Sequence, residues 1–284
     1  MTADLTTRCC VLISGVITLK MASHGGSSDI VLYEFHPSYW SQMARLAFVE
    51  KDVPFARKSV DIFKAENYQP DYVKINPACE VPAMLVNGKV VNGSQAIIDY
   101  LDEIKGAKQD TEVEALRKRC CALPIGELST GLLWHPTVVD QDFKLPDPIK
   151  GAYQLLGNRP AVIKEMMEKH PELKEKYQEK LSRVAADDHL KTDKAAVEAH
   201  FKTIENFLDD LDAQLGKNAA RGQWLFGNSF TNADIVVAVL LGRLELQGTA
   251  DRLFNATKRP NLARYYLALK ARPSFQKECV PFIP

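Results

Sequence analysis

The chain has 284 residues, 46% of them apolar, and its 36 basic and 36 acidic side chains leave a formal net charge of zero. That is ample material for two modest domains around a packed core. The charge balance removes long-range attraction to nucleic acid or to an anionic membrane, so partners have to be recognised locally. Six cysteines, Cys9, Cys10, Cys79, Cys120, Cys121 and Cys279, show neither CxxC spacing nor histidines at zinc intervals. Neither a metal centre nor a disulfide framework is expected, a reducing compartment fits, and the adjacent pairs read as small apolar residues.

In chain order, residues 1–28 read as a leader outside the fold. Its apolar run CCVLISGVITL, behind Arg8, is long enough for a weak signal-peptide core and far too short to span a bilayer. No small-x-small cleavage site follows it, and Met21 opens a flexible polar stretch, so export and an internal start both stay open. From Asp29 the elements alternate. IVLYEF reads as a buried strand, and His36-Pro37-Ser38 as a turn. Trp40, Met43, Ala44, Ala47 and Phe48 then recur at helical spacing until Asp52-Val53-Pro54. FARKSVDI reads as a second strand and NYQPDYVKINP as a short segment broken by prolines. In VPAMLVNGKVVNGS, Asn87-Gly88 between two apolar runs is the strongest hairpin signal in the chain. Ile97, Ile98, Leu101 and Ile104 mark the helix that follows.

This order, strand–helix–strand–helix–hairpin–helix, predicts an α/β thioredoxin-like domain over 29–105. A cis bond at Val81-Pro82, directly before a strand, would expose the Val81 backbone to a ligand. After Gly106 strand signals vanish, which predicts an all-helical domain over 106–284. Val197, Phe201, Ile204, Leu208, Leu211 and Leu215 form one amphipathic stripe that reads as core. In FTNADIVVAVLLGRL, Thr231 stands three residues before Asp234, a capping-box spacing at the head of a helix apolar all round and therefore buried. Residues 136–190 read as an elaboration of the helical domain, with the charged run EMMEKHPELKEKYQEKLSR as a solvated helix face. RPNLARYYLALKARPSF reads as the last helix.

Ser38 is the chemically informative residue. A hydroxyl at a helix mouth either caps the helix or holds a ligand's anion beside the outward-pointing N–H groups. No GxSxG elbow and no hydrolase relay accompany it. Ser41, one turn inside, reads as structural, and Tyr33, within a strand, as no activating group.

From about Asp29 to Phe275 the chain resembles the cytosolic glutathione transferase superfamily. The residues that carry the likeness are Ser38 before the first helix, NPACEVPAML, NGSQAIIDYLD and FTNADI. The stretch VDIFKAENYQPDYVKINP, His135-Pro136, KHPELKEKYQEKL and the chain's ending are similar to the tetrachlorohydroquinone dehalogenase and ganglioside-induced differentiation-associated branch. The resemblance implies the two-domain glutathione transferase fold, a homodimer and a cytoplasmic location without a transmembrane segment. It implies detoxification chemistry: glutathione as co-substrate, conjugated to a small hydrophobic electrophile or used in a related dehalogenation or isomerisation. In that picture Ser38 is catalytic, donating a hydrogen bond to the glutathione thiolate. The Val81 backbone beside Pro82, with Gly93 and Ser94, holds the tripeptide, and Tyr39, Trp40, Trp134 and His135, with Tyr153, are candidates for the electrophile pocket. Three positions depart from the pattern. Trp40 stands where the bacterial dehalogenase has a cysteine, Gly93 where Glu or Gln is usual, and Cys79 where a glycine is usual. These departures push toward an alternative reading, a non-catalytic binding protein on the same fold for hydrophobic ligands or protein partners, while the retained Ser38, Val81-Pro82 and Ser94 favour the enzyme.

Overall fold

The computed structural model describes residues 30–108 and 110–279. The leader, Cys9, Cys10 and the closing residues 280–284 lie outside the described residues. β1 (Val31–Glu34) leads through a turn into α1 (Tyr39–Glu50), whose buried face carries Met43, Ala44, Ala47 and Phe48 as the spacing predicts. Ser41 is fully buried, and its hydroxyl accepts the Phe35 N–H at 3.3 Å, which fixes the strand-to-helix turn.

β2 (Ala56–Ser59) runs parallel to β1, with Val31 opposite Ala56. It is shorter than the predicted strand over 55–62. Asp61 accepts the N–H groups of Phe63 and Lys64, at 2.9 and 3.3 Å, and turns the chain into two 3₁₀ turns. Of the prolines after it, the first starts a helix: Pro70 occupies the first turn of α2 (Pro70–Ile75), where its missing N–H has no intrahelical acceptor in any case, and Pro77 follows the helix's end.

β3 (Ala83–Val86) and β4 (Lys89–Asn92) form the expected hairpin, with Asn87 and Gly88 both left-handed (φ 49° and 75°) as a type I′ turn requires. β3 is antiparallel to β1, giving a mixed sheet of order β2-β1-β3-β4, covered by α3 (Ser94–Lys105) and α1. The Val81-Pro82 bond is cis.

The helical domain comprises α4 (Thr111–Cys121), α5 (Ile125–Trp134), α6 (Asp147–Gly157), α7 (Arg159–Lys169), α8 (Lys174–Ala185), α9 (Lys194–Asn218), α10 (Asn232–Leu246), α11 (Ala250–Leu253), α12 (Pro260–Lys270) and α13 (Pro273–Glu278). α10 is buried everywhere but Asn232 and Glu245, packing on α1 and α4 at the centre of a core continuous through both domains. Its head is fixed by Asp234, fully buried, which accepts from the Thr231 N–H (2.8 Å), the Thr231 hydroxyl (2.7 Å), the Leu225 N–H (3.0 Å) and the Tyr265 hydroxyl (2.9 Å).

A second apolar cluster corrects the reading of residues 136–190 as an elaboration of the helical domain alone. Ile163 and Met166 of α7 and Tyr177 and Val184 of α8 pack on Tyr68, Val73 and Cys79 of the N-terminal domain. The Tyr177 hydroxyl donates to the Tyr68 carbonyl at 2.7 Å. The charged run is therefore not wholly a solvated face, because Lys180 is buried against Glu80 at 2.8 Å. A third long-range tie joins the ends of the fold. The fully buried Arg45 binds Glu34 (2.5 Å) and Glu278 (2.9 Å), and Glu278 also binds Arg57 (2.5 Å).

Candidate functional site

Two cavities meet at the head of α1. One, of about 680 Å³ and the more polar of the two, lies between the Val81-Pro82 loop, the start of α3 and the α7–α8 insert. The other, of about 770 Å³, is mainly apolar and lies between the β1–α1 turn and helices α5, α6 and α10. Ser38, Trp40, Ile62, Leu156 and Arg159 line both, so the helix mouth and the insert frame the junction.

Ser38 is the N-cap of α1: its oxygen accepts the Ser41 N–H at 3.3 Å. The two readings of this residue are compatible. A hydroxyl has lone pairs to accept with and one proton to donate, and among the described residues no acceptor takes the Ser38 proton. The N-terminal N–H groups of α1 add a positive potential at the same point.

The polar cavity is shaped by side chains that read as ordinary loop polars. The Asn67 amide donates to the Cys79 carbonyl at 2.9 Å, while the Tyr72 hydroxyl and the Asn76 amide donate to the Glu80 carbonyl at 2.5 and 2.7 Å. These bonds hold the carbonyls on either side of residue 80. The Val81 N–H and C=O make no hydrogen bond among the described residues, although Val81 is buried and lines the cavity. An unpaired backbone of this kind, directly before a strand, is a template for one strand-like partner.

Cys79 occupies a left-handed position, φ 55°, which accounts physically for the glycine usual there. Its thiol is buried and pushed up to about 11, chiefly by burial, against the pull of Lys180 and Arg183. It is thus a protonated packing group rather than a nucleophile. Gly93, at φ 85°, precedes α3 and donates its N–H to the Pro82 carbonyl at 3.0 Å. Ser94 is buried at the first position of α3, its hydroxyl 3.9 Å from the Met43 sulfur, and Gln95 is exposed beside it on the cavity. Sequence reasoning missed the far wall, where the insert brings Arg159 and Lys180. Burial holds Lys180 below the usual lysine range in spite of Glu80. Only the long separation between Glu80 and the insert hid this wall.

The apolar cavity takes the ring of Tyr39, the edge-on Trp40 (4.8 Å between centroids), the half-exposed Trp134 and Tyr153. The Tyr39 hydroxyl is buried without a partner among the described residues, and burial together with the nearby Cys120 and Cys121 thiols raises it well above the usual phenol range. It stays protonated and is no base. His135 does not line either cavity: it caps the end of α5, where Pro136 begins a 3₁₀ turn, with Nε2 buried and without a partner among the described residues.

A small mixed sheet with a cis-proline loop, joined to a helical domain with a capped buried helix, is the architecture of a glutathione transferase. Residues 37–104 match the family model for the glutathione S-transferase N-terminal domain and residues 194–268 that for its C-terminal domain. The tetrachloro-p-hydroquinone reductive dehalogenase of Sphingobium chlorophenolicum is 30% identical over 249 residues, covering 87% of this chain and 94% of the relative. The human ganglioside-induced differentiation-associated protein 1-like 1 is 24% identical over 275 residues, covering 90% of this chain and 75% of that protein. Among solved structures, the beta-etherase LigF of Sphingobium sp. strain SYK-6 superposes with a TM-score of 0.62 at 20% identity, over 88% of this chain and 98% of that one. The chain belongs to the glutathione S-transferase family. Among the described residues no helix is long and apolar enough to cross a membrane.

Proposed function

We propose that the protein is a glutathione-dependent transferase in which Ser38 holds the glutathione sulfur as a thiolate for attack on a small hydrophobic electrophile. The observation that carries this reading is the position of the Ser38 hydroxyl at the junction of the polar and apolar cavities, its proton uncommitted. An ordinary cysteine-like thiol, pKa about 8.5, is about 3% ionised at pH 7. Lowering it by about two units makes it about three-quarters ionised and takes about 2.7 kcal/mol. A hydroxyl donating to an anion contributes about 1.5–3 kcal/mol and a helix N-terminus about 0.3–1 kcal/mol. The two together span what is needed.

Around that sulfur the chain's groups have separate tasks. The Val81 backbone pairs with the cysteinyl unit in the manner of an added strand. The head of α3, at Gly93 and Ser94, takes the γ-glutamyl carboxylate. Arg159 and Lys180 face the remaining carboxylate, and Trp40, Tyr39 and Trp134 give the electrophile its apolar walls. With Trp40 in the place of a thiol and Cys79 held protonated, the described residues that line the site offer no reactive sulfur of their own. The reading is therefore conjugation or isomerisation by the co-substrate's sulfur.

The test is calorimetric titration of the full chain with glutathione, followed by turnover of 1-chloro-2,4-dinitrobenzene as a probe electrophile. Saturable binding with turnover supports the reading, and absence of binding removes it in favour of a non-catalytic protein. The homodimer common in the family is part of the same proposal and is read by sedimentation equilibrium.

A further inference from the structure

The apolar cavity has a polar floor whose composition points to the charge of its ligand. Arg243, on α10, is nine-tenths buried yet lines this cavity. One of its nitrogens donates to the Pro37 carbonyl at 2.7 Å, and the guanidinium carbon stands 5.8 Å from the centre of the Tyr39 ring. Among the described residues its Nε has no partner and it forms no ion pair with a carboxylate. A guanidinium offers five donors and keeps its charge throughout the working range of proteins. The other buried arginines of this fold are paired: Arg45 with Glu34 and Glu278, Arg117 with Asp99 and Glu114, Arg259 with Asp209.

One turn further along α10, on the same face, Gln247 is fully buried and donates to the Ser129 hydroxyl at 2.6 Å and to the Tyr153 hydroxyl at 2.9 Å. Ser129 spends its own proton on the Ile125 carbonyl at 2.5 Å. Tyr153 accepts from Gln247 and donates to no described residue, so its proton is available to the cavity it lines. Gln247 Oε1, a buried acceptor behind this floor, finds no partner among the described residues, while the floor itself presents a cation, Arg243, and a phenol, Tyr153, under walls of Ile125, Leu133, Trp134, Ile149 and Leu246. A carboxyl also lines the cavity, that of Asp187 within the insert, and burial together with the nearby Glu127 raises it above the usual carboxylate range against the pull of Arg159.

We propose that this cavity receives an apolar molecule bearing one carboxylate, whose oxygens are bound by Arg243 and the Tyr153 hydroxyl while its hydrocarbon part fills the space between α5 and α6. The proposal deepens the transferase reading, on which it rests for calling this the electrophile's cavity. It narrows the substrate class to hydrophobic acids, and it makes Arg243 a specificity-determining residue that also steadies the loop carrying Ser38.

The probe pair is 4-phenylbutyrate and its neutral amide, 4-phenylbutanamide, titrated into the full chain without glutathione. Emission of Trp40 and Trp134, both on the cavity, reports binding, with calorimetry as the second readout. The expected result is a preference for the acid of tenfold or more, reduced to near equality in Arg243→Gln and severalfold in Tyr153→Phe. Should Arg243→Gln not fold, as judged by circular dichroism, Tyr153→Phe decides alone. Equal affinity of acid and amide in the wild type, or a preference that survives in every folded variant, overturns the proposal. Because glutathione is left out, failure here is distinct from failure of glutathione to bind, which removes the transferase reading and leaves the acid site to its own result.

Discussion

Replacing Ser38 with alanine removes one hydroxyl and with it the observed cap bond and the proposed bond to the sulfur anion, which separate cleanly. The cap bond to the Ser41 N–H is lost, at a cost of about 1 kcal/mol in stability. The donor to the sulfur anion is lost as well, worth about 1.5–3 kcal/mol, or about 1.1–2.2 units in the thiol's ionisation. If the bound thiol ionises near pH 6.5 in the wild type, its midpoint moves to about 7.6–8.7 in Ser38→Ala, and the ionised fraction at pH 7 falls from about three-quarters to between about 20% and 2%. Ultraviolet thiolate absorbance, titrated on the glutathione complex of each protein, measures the midpoint directly, and denaturant unfolding measures the cap. Ser38→Thr retains the hydroxyl and should keep the midpoint near that of the wild type. A midpoint unmoved in Ser38→Ala, with the stability loss present, would refute the thiolate role and leave a helix cap.

Three further outcomes are expected. A methyl group at Gly131 falls 2.5 Å from a Val197 methyl where α5 crosses α9; Gly131→Ala should lose about 1–3 kcal/mol of stability by overpacking, with partial recovery in the Gly131→Ala, Val197→Ala double variant, read from denaturant midpoints. Burial raises the Cys79 and Cys121 thiols to about 11 and the Cys279 thiol to about 12. The unfolded chain gives up these protons near pH 9 while the folded chain keeps them, so stability is full below that pH and declines as pH rises through about 9 to 12; a melting temperature flat across this window would contradict the burial. Arg159→Met and Lys180→Met should each weaken glutathione binding by about tenfold, equivalent to about 1.4 kcal/mol, with the difference shrinking at high salt; calorimetry at two ionic strengths decides.

The parts of the fold legible in the sequence are those set by neighbours along the chain. Asn87-Gly88 demands its turn locally, the stripe from Val197 to Leu215 declares its own period, and Thr231 with Asp234 announces a helix head. Ser38 was legible as a helix mouth, but whether it caps or binds was a false choice, since one oxygen does the first and its proton remains for the second. What stayed hidden depends on distant partners. Asn67, Tyr72 and Asn76 read as plain loop residues until the Cys79 and Glu80 carbonyls come beside them. Lys180 lies in a run that looks solvated because periodicity cannot show that Tyr68 and Cys79 will cover it. Pro70 and Pro77 looked like breakers, when the first starts a helix and the second follows its end.

The guanidinium of Arg45 has a consequence for how the molecule is made. It is neutralised in part by Glu34, a near neighbour, and in part by Glu278, 233 residues downstream. At a ribosomal pace of about 5–20 residues per second, the second counter-ion is synthesised roughly ten to fifty seconds after the first helix. Until then Arg45 and Arg57 have, among the described residues, one carboxylate, Glu34, between them, and the charge balance of the sheet's end waits on the helix that carries Glu278.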